Sequence, residues 1–109
     1  MSEELEFDVR MWAAQAPMLS EYDEYLEVSG ALVWRDEIQK ALDAGEPLSS
    51  EYRAMLREAD DKLMAQREEL VSRFPYVFTP DRQEAGPHSY WWWFLNEGPQ
   101  VREKAERAA

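Results

Sequence analysis

The sequence contains no cysteine and a single histidine among its 109 residues. The absence of cysteine excludes disulfides, thiol nucleophiles and thiolate ligands for zinc or iron–sulfur clusters. His88 and Ser89 are adjacent, so on a helix their side chains diverge and do not form a nucleophile–base pair. Ala85 stands three positions before His88, so the Glu-x-x-His motif of di-iron bundles is missing. We expect no catalytic residue, no metal site and no cofactor, and therefore a protein that is not an enzyme.

Basic residues and long apolar runs are also scarce. Lys and Arg total 12 against 23 Asp and Glu, which gives a formal net charge of −11. Such a charge repels phosphate, so we expect no nucleic-acid partner. No apolar run approaches the ~20 residues of a membrane span, and the acidic start of the chain does not resemble a signal peptide. We expect a cytoplasmic protein with no membrane partner.

Apolar residues, in contrast, make up 45 % of the chain and aromatic residues 13 %. This is far more than a disordered acidic segment carries, so the chain is expected to fold. The length predicts one domain, residues 1–109. The tail, residues 101–109, has helix propensity but a poor apolar face, which predicts a frayed helix.

Proline, glycine and apolar spacing divide the chain into three predicted helices, at residues 3–16, 19–44 and 50–74. In the second helix Ser20 is the predicted N-cap, and Leu26 and Val33 are assigned to the buried face. Gly30 lies in the middle of this helix at a cost of about 1 kcal/mol relative to alanine. We interpret it as a close packing point or a slight kink, with a functional hinge as the alternative.

The third helix has the clearest pattern, because its apolar positions follow a heptad seam. The seam consists of Tyr52, Leu56, Ala59, Leu63, Gln66 and Leu70. The short connection at residues 45–49 makes the second and third helices antiparallel neighbours. The sequence therefore predicts an all-α fold: a long antiparallel helical hairpin, a short N-terminal helix across it and a C-terminal aromatic helix. The seam also suggests a homodimer that forms a four-helix arrangement.

Residues 90–95 read Tyr-Trp-Trp-Trp-Phe-Leu, the most unusual run of the chain. Pro87 before the run and Gly98 after it favour a helix. Aromatic residues also favour strands, so residues 90–95 paired with residues 76–79 would give an α+β fold with a small hairpin. In either case apolar side chains point to every side of the element.

The aromatic run suggests a binding surface, because a chain of this size has few other elements to cover so many rings. The predicted partner-binding anchors are Tyr90, Trp91, Trp92 and Trp93, which are residue types typical of binding hot spots. The alternative is that the first helix and residues 76–78 cover them.

Charge is asymmetric: residues 1–50 carry 12 acidic and 3 basic residues. The acidic residues predicted to orient a partner are Glu21, Asp23, Glu24 and Glu27. The leading hypothesis is a non-enzymatic protein–protein interaction module, such as an adaptor, regulator or assembly factor. The alternatives are an acidic inhibitor of a basic partner (an immunity- or antitoxin-like protein or a DNA mimic) and a carrier of a small hydrophobic ligand.

Overall fold

The computed structural model describes residues 2–78, 87 and 89–108, and all regular structure in these residues is helical. This confirms the predicted all-α class. The described α-helices are α1 (Glu3–Gln15), α2 (Tyr25–Asp43), α3 (Ser50–Ala65), α4 (Arg67–Arg73) and α5 (Val101–Ala108). Short 3-10 turns occur at Ala16–Glu21, Trp91–Trp93 and Leu95–Glu97.

Helix α1 lies at the centre of the packing. Its N-terminus is capped by Ser2, whose hydroxyl accepts a hydrogen bond from the Leu5 amide at 3.0 Å. The buried side chains of Leu5, Val9 and Trp12 recur at helical spacing and form one apolar stripe. Because α1 packs against both α2 and α3, it brings the two longest helices into one core.

Residues 44–49 join α2 to α3. Gly45 makes the turn possible with a φ of +88°, a left-handed conformation that side chains disfavour. In the described residues α1 is the main packing partner of both long helices, so α2 and α3 are held together mainly through α1 and not by the direct packing that the predicted hairpin implies. The short N-terminal helix is therefore a core element and does not merely lie across the hairpin.

The predicted start of the second helix at residue 19 is wrong. Pro17 lies at the start of a 3-10 turn that includes Ser20, and α2 begins only at Tyr25. The N-cap is Glu24, which forms a capping box with Glu27. The backbone amide of Glu24 donates to Glu27 Oε1 at 3.3 Å.

The predicted third helix is interrupted at Gln66, where α3 ends and α4 follows. The heptad seam places Gln66 among apolar positions, but its side chain turns to the backbone of the 3-10 turn before α2. It donates to the Ala16 carbonyl at 2.7 Å and accepts from the Ser20 amide at 3.0 Å. The side chain of Gln66 thus connects the end of α3 to the 3-10 turn before α2, a contact that sequence periodicity does not predict.

The aromatic run is neither the predicted helix nor the alternative strand. It forms two successive 3-10 turns, Trp91–Trp93 and Leu95–Glu97. A regular helix would send its apolar side chains to all sides, whereas short turns change direction and allow each ring to point into the core. Residues 76–78 contain no strand, and Thr79 lies outside the described residues. The tail is helical from Val101, which is buried.

Candidate functional site

The aromatic residues predicted to contact a partner are buried. Trp92 is fully buried, Trp91 and Trp93 are each 2 % exposed, and Tyr90 is 8 % exposed. The predicted exposed aromatic surface is therefore wrong, and the alternative that the rest of the chain covers these rings describes the structure. The rings are part of the core cluster that also contains Trp12 and Phe78.

Asp36 of α2 is one reason that the indoles are buried. Its Oδ1 atom accepts hydrogen bonds from Trp92 Nε1 at 2.6 Å and from Trp93 Nε1 at 2.7 Å. Burial raises the pKa of Asp36, while the two indole N–H groups act in the opposite direction. A carboxylate on α2 thus satisfies two buried donors that a purely apolar helix face would leave unpaired.

Arg35, which precedes Asp36 in α2, covers one face of the Trp92 ring. Its guanidinium lies 4.3 Å from the centroid of a Trp92 ring and is ion-paired with Asp60 of α3. Asp60 also accepts a hydrogen bond from Trp12 Nε1 at 3.0 Å. This network connects α1, α2 and α3 to the aromatic run, residues 90–95. Arg35, Asp36 and Asp60 therefore stabilise the fold. Sequence analysis assigned them no role.

The four acidic residues predicted to orient a partner are all exposed. They lie around the start of α2, whereas the rings of Trp91–Trp93 are buried. Glu24 and Glu27 also stabilise the helix start through their capping box. Nothing in the structure tests their role in binding, which stays a prediction.

An exposed apolar surface does occur next to these acids, on the side of α2 that faces away from the core. Leu26 is 63 % exposed and Val33 is 46 % exposed. They are seven residues apart, so they share one helix face. Phe7 of α1 is also exposed and meets the half-buried Trp34 edge to face, with ring centroids 5.7 Å apart. We call this surface the Leu26 face and define it by Phe7, Leu26, Gly30, Val33 and Trp34.

Gly30 lies between Leu26 and Val33 on the Leu26 face. A Cβ atom placed on Gly30 would have no neighbouring atom within 4 Å. Its interpretation as an internal close packing point is therefore wrong. The missing side chain leaves the α2 backbone accessible from outside, in the middle of an apolar surface.

Three carboxylates border the Leu26 face. Glu3 precedes Phe7 by one turn of α1, Glu37 follows Val33 by one turn of α2, and Glu27 precedes Trp34 by two turns of α2. Two cations lie close by: Lys40 pairs with Glu37 at 3.3 Å, and Arg10 donates to the Tyr52 hydroxyl at 2.8 Å. The three carboxylates outnumber the two cations, so the rim has a small net negative charge.

Comparisons with protein-family models, curated proteins and solved structures found no match to this chain. The assignment of a site therefore depends on geometry and charge alone. Within residues 2–78, 87 and 89–108, no group of three or more His, Asp or Glu side chains is arranged to hold a metal ion. No helix in the same residues is long and apolar enough to cross a membrane.

Sequence analysis missed the Leu26 face because it assigned Leu26 and Val33 to the buried stripe. The buried stripe is formed by Val28, Ala31, Leu32, Arg35 and Ile38. Because the charged Arg35 belongs to the buried stripe, the sequence shows no clear difference in hydrophobicity between the buried stripe and the stripe that contains Leu26 and Val33. The signal that separates the two stripes is Gly30, because a buried helix face with a glycine at its centre would leave a gap.

Proposed function

We propose that this chain is a non-enzymatic protein–protein interaction module that binds a basic protein partner through the Leu26 face. The observation that carries the proposal is the exposure of Leu26 and Val33 on either side of an accessible glycine. Contiguous exposed apolar surface rimmed by polar groups is typical of sites of protein interaction. Isolated exposed apolar residues would not carry this argument, but here they share one helix face.

The charge of the rim supports a basic partner. Carboxylates of α1 and α2 border the apolar strip, and they would attract Lys and Arg side chains and accelerate encounter. A second copy of this chain would bring the same carboxylates face to face, which is unfavourable. The predicted homodimer is therefore the less favoured occupant of this face.

Gly30 supports a close approach. Because it has no side chain, a partner segment can contact the α2 backbone between Leu26 and Val33, as small residues allow at helix–helix crossings. An apolar side chain of the partner would fill this gap while its basic residues pair with Glu3 and Glu27. This describes an amphipathic basic segment lying along α2.

The proposal is tested with substitutions on the Leu26 face and a matched control outside it. We expect Leu26→Ser combined with Val33→Ser to abolish capture of a basic protein from lysate of the native host. Met18→Ser is the control, because Met18 is exposed to a similar extent, 48 %, but belongs to the 3-10 turn before α2. Unchanged circular dichroism and tryptophan emission show that the variants are folded.

The result that supports the proposal is specific. The wild-type protein and Met18→Ser retain the same basic protein, the double variant loses it, and retention weakens as salt is raised from about 0.05 to 0.5 M. Equal capture by all three proteins would contradict it. Sedimentation equilibrium of the wild-type chain is the second measurement: a dimer that dissociates in the double variant would identify a second copy as the occupant instead.

An inhibitor of a basic enzyme is the most specific form of the same proposal, and an assay of the captured protein's activity tests it.

The carrier hypothesis has less support. Trp91 borders a cavity of about 290 Å³, but its other lining residues are mainly polar: Arg35, Gln39, Asp43, Ser89, Ala105 and Glu106. A cytoplasmic location is part of the proposal.

A further inference from the structure

A second feature lies away from the Leu26 face, in a cavity of about 190 Å³ bordered by α2, α3 and α5. The charged residues that line it are Arg35, Arg53, Arg57, Arg102, Asp60 and Glu106. Four guanidinium groups and two carboxylates give the lining a formal charge of +2, and Asp61, which pairs with Arg102 from outside the lining, lowers the local sum to +1. In a chain of net charge −11 with 12 basic residues, a group of four arginines is a strong local concentration of basic side chains.

Two of the four arginines are engaged with carboxylates. Arg35 pairs with Asp60 across α2 and α3. Arg102 donates from Nη1 to Asp61 at 2.5 Å and from Nε to Glu106 at 3.4 Å, which fixes α5 against α3. These pairs hold the wall of the cavity and account for its negative charges.

Arg53 and Arg57 supply the excess positive charge. They are four residues apart on α3, so their side chains lie one above the other on the same face. Arg53 donates from Nε to the Leu48 carbonyl at 2.9 Å. In the described residues its terminal nitrogens, and the whole guanidinium of Arg57, have no ion pair or hydrogen bond. Both residues are exposed, so the repulsion between their charges is small, and an anion between them would remove it.

We propose that this cavity binds the phosphate group of a small molecule. Guanidinium groups present paired N–H donors whose spacing matches the oxygens of a phosphate. A phosphate monoester carries about −1.5 to −2 charges at pH 7, which matches the two guanidinium charges of Arg53 and Arg57, whereas a monocarboxylate would balance only one of them. Leu42, Leu48 and Leu56 complete the lining and offer apolar contact to a short carbon chain.

The cavity is small and open to solvent. Pockets for drug-sized molecules measure ~300–1,000 Å³, and this one measures about 190 Å³, which is enough for inorganic phosphate or the phosphate end of a short ester. The negative charge of the whole chain does not prevent binding, because at physiological salt an exposed charge is screened over about 8 Å. The site does not depend on the proposed partner surface, since none of its residues belongs to the Leu26 face.

The test is isothermal titration calorimetry of the full chain with three probes: inorganic phosphate, glycerol phosphate and acetate, at constant ionic strength. We expect both phosphates to bind with dissociation constants on the order of 1 mM and acetate to bind at least about tenfold more weakly. Replacing both arginines by glutamine, Arg53→Gln and Arg57→Gln, should weaken phosphate binding about tenfold or more. The control is Lys104→Gln, which removes an exposed charge of α5 that does not line this cavity.

The outcomes separate the sources of the phosphate group. Tighter binding of glycerol phosphate than of inorganic phosphate identifies an organic ester as the ligand, and the reverse identifies free phosphate. The proposal is overturned if neither phosphate binds the wild-type chain, or if Lys104→Gln weakens binding as much as the arginine substitutions do. Urea unfolding of each variant, followed by tryptophan emission, verifies that the fold is intact.

Discussion

Arg35 and Asp60 form a bidentate ion pair in the protein interior. Arg35 Nε lies 3.1 Å from Asp60 Oδ1, Arg35 Nη2 lies 3.2 Å from Asp60 Oδ2, and the two side chains are only 6 % and 5 % exposed. The pair joins α2 to α3 beside the aromatic segment. Removal of one partner leaves the other as an uncompensated buried charge, which is far more costly than removal of both.

Arg35→Met should therefore lower the free energy of unfolding by about 3–5 kcal/mol, because it leaves the Asp60 carboxylate without its cation. Adding Asp60→Asn should recover part of this loss, since the amide oxygen can still accept from Trp12 while the charge is gone. Urea unfolding of the wild type, Arg35→Met and the double variant measures both effects. A double variant no more stable than Arg35→Met would show that the buried charge is not the cause.

Substitutions of Asp36 should separate its charge from its role as a hydrogen-bond acceptor. Both indoles donate to the same oxygen, so Asp36→Asn keeps an acceptor in place, and we expect it to be at least as stable as the wild type at pH 7. Asp36→Ala leaves two buried indole N–H groups unpaired and should cost about 2–4 kcal/mol. Chemical unfolding curves test this order, and equal losses in the two variants would contradict it.

Stability should depend on pH through Asp36 and Asp8. The pKa of each carboxyl is raised in the folded state, mainly by burial, and Glu4 and Glu37 add to the effect at Asp8. The folded state therefore binds these protons more tightly than the unfolded state, whose pKa is near 3.8. Their stabilising contribution is complete below that value and is lost as pH rises through the raised folded pKa.

The midpoint of urea unfolding should accordingly increase as pH is lowered from 7 toward the ordinary carboxyl range. Asp36→Asn should show a smaller increase than the wild type, because one of the two groups no longer titrates. The measurement is a series of unfolding curves between pH 4 and 7 at constant salt. Identical slopes for the two proteins would exclude Asp36 as a source.

Gly30→Ala should stabilise the isolated chain by up to about 1 kcal/mol. The new methyl group meets no atom within 4 Å, and alanine has the higher helix propensity. The same substitution should weaken binding of a partner that approaches the backbone of α2 closely. Thermal unfolding measures the first effect, and capture experiments measure the second. A loss of stability would mean that the glycine has a structural role within the chain.

The aromatic segment shows where sequence reasoning stops. Its composition indicates a large apolar surface, but whether that surface is covered depends on residues distant in sequence. Asp36 and Arg35 lie more than fifty positions before Trp92, and no local pattern identifies an aspartate as the acceptor of two indole N–H groups. Exposure of these rings could therefore be predicted only as one of two alternatives, and the structure agrees with the other, in which the rest of the chain covers them.

Some helix boundaries could be predicted from the sequence and others could not. The predicted helix 3–16 agrees closely with α1, because Ser2, the acidic first turn and the apolar spacing all act locally. The break at Gln66 was not predictable, since its cause is a pair of hydrogen bonds to residues near Ala16 and Ser20. The proposed partner and phosphate sites depend on which faces of α2 and α3 remain uncovered, and this is a property of the tertiary structure.

The amino-acid order alone determined that the chain is helical and acidic, because spacing, caps and formal charge are local or additive quantities. It also determined that the apolar residues are numerous enough to form a core. Only the folded arrangement decided which hydrophobic side chains enter that core, since burial depends on what lies opposite. Trp92 is buried because Asp36 accepts its indole N–H and Arg35 covers its ring. Leu26 is exposed because no element among the described residues covers it.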